Sequence, residues 1–371
     1  LKRTLTIFVF LCLLICLFAC ERHKPIKIGF VGGLSGRVAD LGRAGRDGAS
    51  LAIEECNGQG GINGILVELL VRDDAQDAST VASIIHELAK DEVLAVVGPM
   101  TSAMAVAASD AANLEQLVLL SPTTSTSLLS GRDDYFLRIY PENSQASTLL
   151  AEEIFDVRHV RNLAVAYDLA NRQHTQDWLD GLRLSYLTKG GQMAAEEGFY
   201  SGAMVSFSQL AEDLVKSNPD GVLLVASALD TAMIAQQLSK MNVQLPLFGT
   251  EWSGTEDVIL NGAGSVEGLT FFHTFDFDDT SARFLAFQDT FFKRFGYEAG
   301  FAAVHSYDAT RLLLAALKKN PSKAEIRKTL LSLGPFQGLQ GQINLDRFGD
   351  VTRQHFLMTV QNGRFVHQLR H

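Results

Sequence analysis

Short apolar runs and amphipathic stretches alternate along most of the chain. Positions 26–31 (IKIGFV) form an apolar run entering the Gly-rich turn 32–36, and 41–55 places Ala44, Ala49, Leu51, Ala52 and Ile53 on one helical face. Glycines at 58–64 interrupt the pattern, 65–71 (ILVELLV) reads as a second strand, and 79–90 as a helix. A short strand over 94–97 ends at Gly98-Pro99, and a helix over 102–115 leads to a strand over 117–120 that ends at Ser121-Pro122. The rhythm then restarts, with strands at 162–167 and 221–226, helices at 176–188 and 231–241, and an extended segment at 245–249. Long helices over 282–295 and 302–319 and a terminal strand over 354–360 complete the pattern. Continuous apolar strands between amphipathic helices predict parallel sheets covered by helices on both faces. Two such units follow one another, with a break near 138–143, where Pro141 precedes a helix that Ser144 is placed to cap.

The first twenty residues, LKRTLTIFVFLCLLICLFAC, differ in kind. Lys2 and Arg3 make a basic start, and 5–19 is apolar except for Thr6, too short to span a bilayer comfortably. Leu17-Phe18-Ala19-Cys20 resembles the lipobox of bacterial lipoproteins, which implies removal of 1–19 and lipidation of Cys20. A plain signal peptide or a short membrane anchor is the alternative. Cys12, Cys16 and Cys20 all fall in this segment, so Cys56 is left without an intramolecular partner.

With 371 residues, 47% of them hydrophobic, the chain is long enough to bury two cores. Thirty-two basic against 42 acidic residues give a formal charge of −10, which argues against a general nucleic-acid binder. Enzyme signatures are missing. There is no G-x-S-x-G elbow and no phosphate loop, and His86-Glu87 is followed by Leu88-Ala89-Lys90, without the second zinc-binding His. Gly32-Gly33-x-x-Gly36 has the wrong spacing for a dinucleotide turn. Asp276, Asp278 and Asp279 lack the other oxygens of a calcium loop. No catalytic set, metal or cofactor is implied.

Sheets of this kind bind ligands beyond the carboxyl ends of their strands. Three strand ends carry suitable groups: 98–102 (GPMTS), 121–125 (SPTTS) and 249–252 (GTEW). Hydroxyls beside a helix start suit a carboxylate, and Glu251 suits an ammonium.

These segments, with the helix from Gly48 to Asn57 and the stretch 60–74 (GGINGILVELLVRDD), resemble the type I periplasmic solute-binding proteins of branched-chain amino-acid (leucine/isoleucine/valine) ABC transporters. The resemblance spans nearly the whole chain after the first twenty residues. It implies an α/β fold of two doubly wound parallel-sheet lobes joined by a three-crossover hinge. The lobes would be 26–139 plus 273–352 and 140–272 plus 353–371, after a signal peptide (1–19) and a lipidated linker (20–25). It implies an exported protein, membrane-anchored through Cys20 on the periplasmic or cell-surface side. Its partners would be a small ligand (an amino acid or similar), an inner-membrane ABC permease and the membrane surface, with no nucleic acid. Ser102, Thr123 and Ser125 fall where the family holds the ligand's α-carboxylate and α-ammonium, and Glu251 on its ammonium carboxylate. Asp230 borders the cleft, with a helix N-cap as its other reading, and Phe301 matches an apolar wall position.

The departures bear on the ligand. Leu41 stands where many relatives carry an aromatic ring, and Gln76 and Thr101 where some place a disulfide. The loop 168–175 lacks the Tyr-Gly that covers the ligand, leaving His174 or Arg172 to replace that contact or to sit as exposed loop charge. The rival readings are a sensor of the same fold, a binder of amides, urea or aromatic acids, and an exported enzyme.

Overall fold

A computed structural model describes residues 24–202 and 204–368; the segment 1–19 and Cys20 lie outside the described residues. The first half builds strands β1 (Ile26–Gly32), β2 (Val67–Asp73), β3 (Ala95–Val97), β4 (Val118–Ser121) and β5 (Phe136–Arg138). They form a sheet of order β2-β1-β3-β4-β5 in which every pairing is parallel. Helices α1 (Ala39–Gly58), α2 (Ala78–Lys90) and α3 (Ser102–Glu115) connect them. The alternation of side chains along a strand explains why β3 is apolar throughout. Ala95 and Val97 enter the core under α1, whereas Val96 enters the one under α2 and α3.

The second half has the same logic. After α4 (Asn143–Glu152) come β6 (Asn162–Asp168), α5 (Arg172–Thr188), β7 (Gln192–Phe199), α6 (Phe207–Val215), β8 (Gly221–Val225), α7 (Ala228–Lys240), β9 (Leu247–Gly249), α8 (Glu256–Gly262) and β10 (Thr270–His273). In β8, Leu223 and Val225 face one helical layer, and Val222 and Leu224 the other. The chain then returns to the first sheet through α9 (Ala282–Phe295), α10 (Phe301–Lys319) and α11 (Lys323–Leu331), followed by the hairpin β11 (Phe336–Gly338) and β12 (Gly341–Ile343). A last crossing adds β13 (Phe356–Gln361) and β14 (Arg364–His367) to the second sheet, whose order is β14-β13-β10-β9-β8-β6-β7. That sheet is mixed: β13 and β14 pair antiparallel, so the expected terminal strand is half of a hairpin.

Two close approaches position the cleft. A Cβ on Gly48 would sit 2.1 Å from the Ala303 carbonyl oxygen, so only glycine lets α1 and α10 pack this tightly. Gly98 has φ +115°, and a Cβ there would lie 2.2 Å from the Val31 carbonyl oxygen. The crossings are tied together by Arg138, fully buried, whose Nε donates to Asp350 at 2.7 Å and whose Nη1 donates to the Thr126 carbonyl at 2.7 Å.

Local boundaries depart from expectation where caps decide them. Helix α4 is capped by the Glu142 carboxylate, which accepts from the Ser144 N–H, rather than by Ser144. The strand expected at 65–71 starts at Val67, because Ile62 and Ile65 exchange backbone hydrogen bonds in a tight turn. Helix α5 begins a turn earlier than expected, at Arg172.

Candidate binding cleft

The carboxyl ends of the two sheets face each other across a narrow cavity. About 310 Å³ there is free of protein atoms. One wall is built by Thr101 and Ser102 at the start of α3, Thr123 and Ser125 beyond β4, and Leu41 in the first turn of α1. Asn171 and His174 from the start of α5 and Glu251 and Trp252 beyond β9 build the other, with Tyr140 and Phe301 closing the side nearest the crossings. Seven residues expected from the sequence therefore meet in one cavity: Leu41, Ser102, Thr123, Ser125, His174, Glu251 and Phe301.

Asp230 does not line it. Its fully buried carboxylate accepts from Arg37 Nε at 2.9 Å and also from Arg37 Nη2, and on its other oxygen from Ser201 and Ser227. Arg37 belongs to the loop between β1 and α1, so Asp230 ties one lobe to the other. It is not the N-cap of α7 either: Ser227 holds that place and accepts the Asp230 N–H. Further ties close the rim. The Thr255 hydroxyl donates to Asp40 at 2.8 Å, and the Ser127 N–H donates to Asp177 at 2.7 Å.

Several polar groups in the cavity are already engaged. Thr123 donates to the Met100 carbonyl at 2.5 Å and Thr101 to Gln76 at 3.0 Å. Gln76 and Thr101 are thus joined by a hydrogen bond. Asn171, which the sequence reading missed, accepts the Ala103 N–H at 3.0 Å and so caps α3 from the opposite lobe. Its only signal was an Asn in the turn after a strand.

The centre is Ser125, whose Oγ lies 3.1 Å from His174 Nδ1 and 3.3 Å from Glu251 Oε1. His174 is 3% exposed and packs edge-on against Trp252 at 5.5 Å; burial lowers its pKa to about 4, so the ring is neutral near pH 7. Its Nε2 is buried without a hydrogen-bond partner. Glu251 is 6% exposed. Burial raises its pKa to about 7, against smaller opposing effects of its own backbone N–H, Ser125 and Trp178. Its Oε2 has no hydrogen bond of good geometry. Arg172, by contrast, is exposed.

Hydroxyl, imidazole and carboxylate side by side invite comparison with a catalytic triad, but their order is wrong. In a triad the imidazole bridges hydroxyl and acid. Here the hydroxyl is in the middle, and no acid orients the ring.

Residues 25–364 match the family described as periplasmic binding protein. A Leu/Ile/Val-binding protein of Citrobacter freundii is 26% identical over 346 residues, covering 92% of each chain. A branched-chain amino-acid transporter substrate-binding protein of Streptococcus pneumoniae, solved with isoleucine, superposes with a TM-score of 0.83 at 25% identity, over 93% of this chain and 100% of that one. A solute-binding protein of an ABC transporter from R. palustris, solved with benzoate, has the same fold, with a TM-score of 0.84 at 17% identity over 93% and 95% of the two chains.

Proposed function

The chain belongs to the periplasmic binding protein family, binding proteins rather than enzymes, and from that membership we propose that it captures an amino acid, branched-chain or related, between its lobes for delivery to an ABC importer. One observation carries this reading: the buried Glu251 carboxyl faces a small cavity between the lobes, and no Lys or Arg among the described residues lines it. A ligand ammonium is the natural countercharge. The ligand carboxylate would meet the Ser102 hydroxyl at the start of α3 and the main chain of Ser125 beyond β4, and Leu41 and Phe301 would wall the side chain. The leucine/isoleucine/valine-binding relatives support the ligand class. Lipidation of Cys20 would keep the protein at the membrane surface near its permease.

Titration calorimetry of protein stripped of ligand by unfolding and refolding, against the common amino acids, tests the proposal. Binding of one group of amino acids without turnover is expected. Glu251→Ala leaves the ammonium unpaired and costs about 2–5 kcal/mol of affinity; equal binding by that variant contradicts the assignment. The second reading is an aromatic-acid binder. It is favoured by the benzoate-bound neighbour and by a Glu251 carboxyl that burial raises to a pKa of about 7, so that its neutral form is accessible and needs no cation. That reading predicts tight binding of solutes that lack an amine.

A further inference from the structure

Ser125 has one hydroxyl hydrogen and two polar neighbours, and this fixes the chemistry of a third group. An ionised Glu251 can only accept, so the Ser125 hydroxyl donates to Oε1. Ser125 must then accept from His174, which places the imidazole proton on Nδ1. His174 Nε2 is left as a lone-pair acceptor in a ring that lines the cavity, buried and without a protein partner. The depressed basicity of the ring agrees with an acceptor rather than an imidazolium. An acceptor buried this deeply is costly to leave unfilled, so a ligand that occupies the cavity must itself bring a donor.

We infer that His174 is a specificity-determining residue that selects a small amino acid with a hydrogen-bond donor, such as a hydroxyl, on its side chain. The inference rests on the reading of Glu251 as the ammonium site, because a bound ammonium keeps Glu251 ionised and so sets the imidazole tautomer. The narrowness of the cavity and its many hydroxyl and amide neighbours point the same way. Thr101, Ser102, Thr123, Ser125 and Asn171 share the space with His174. A purely aliphatic side chain would leave Nε2 without a donor.

Threonine and valine have nearly the same shape and differ by this one donor, so their affinity ratio is the test. Calorimetric titration of the stripped full chain should show threonine bound at least ~10-fold more tightly than valine, since a site that hydrogen-bonds a hydroxyl discriminates strongly against the analogue lacking it. His174→Leu removes the acceptor and should bring the ratio to within about threefold, whereas His174→Gln, which keeps an acceptor, should retain part of the preference. The ratio within each variant cancels any general loss of affinity. Valine binding as tightly as threonine to the parent overturns the inference alone. A threonine preference that survives in a folded His174→Leu also overturns it. Failure of every α-amino acid to bind to refolded protein overturns the reading of Glu251, and this inference with it.

Discussion

At the scale of single residues, the cleft is governed by what burial does to two ionisable groups in opposite directions. Glu251 is pushed up to about 7 and His174 down to about 4. Binding an ammonium requires Glu251 ionised, so its pKa must fall when ligand is present. Affinity should therefore be full above about pH 7 and weaken below it, by up to about tenfold per pH unit until the bound-state pKa is reached. The check is a calorimetric series from pH 5 to 8; an affinity independent of pH would contradict it. Thermal stability is a poorer readout. Between about pH 4.5 and 7 the raised Glu251 pKa makes the ligand-free fold less stable as pH rises, while between about 4 and 6.5 the lowered His174 pKa makes it more stable. Strand-end chemistry made Ser125 and Glu251 legible in the sequence. The place of Asp230 was not, because its partner, Arg37, is 193 positions away and on the opposite lobe.

At the scale of elements, expectation held for the buried strands β3, β4 and β8, passed over β10 although it is buried inside its sheet, and failed at edges and caps. The apolar runs of β3, β4 and β8 were plain in the sequence. Strand β7 was not, since it lies at the edge of its sheet and carries Glu196 and Glu197, which an edge tolerates. The early start of α5 matters more, because it turns His174 from a loop residue into a fixed part of the cavity wall. Helix α1 gives a paired prediction. Gly48→Ala sets a methyl against the Ala303 carbonyl and should destabilise by about 1–3 kcal/mol, outweighing about 1 kcal/mol of helix propensity. Gly58→Ala, at the end of the same helix with open space around it, should be neutral or stabilise by up to about 1 kcal/mol. Denaturant unfolding of the two variants measures both, and equal effects would contradict the close packing of α1 on α10.

At the scale of the whole molecule, the lobes are closed on one another by Arg37–Asp230, Thr255–Asp40 and Ser127–Asp177. Arg37→Ala leaves a buried carboxylate without its cation, at a cost to the closed form of about 1–3 kcal/mol after allowing for the partial exposure of Arg37. Small-angle scattering of the ligand-free variant should show a larger radius of gyration than the parent, and Arg37→Ala with Asp230→Asn should recover part of the difference. An unchanged radius would mean that the tie does not hold the lobes. The two-lobed fold was legible because the resemblance runs through strand ends, glycines and helix starts in order, and these motifs carry backbone geometry. The cavity wall was less fully legible: Asn171 was not placed there by local pattern, and His174 was expected either as a ligand contact or as exposed loop charge. The central claim is that an α-ammonium is held by Glu251. It is tested most directly by titrating the stripped protein with each amino acid and with its des-amino analogue, which keeps the carboxylate and side chain. The account predicts that the amino acid binds at least ~30-fold more tightly than its analogue; an analogue that binds equally well would contradict it.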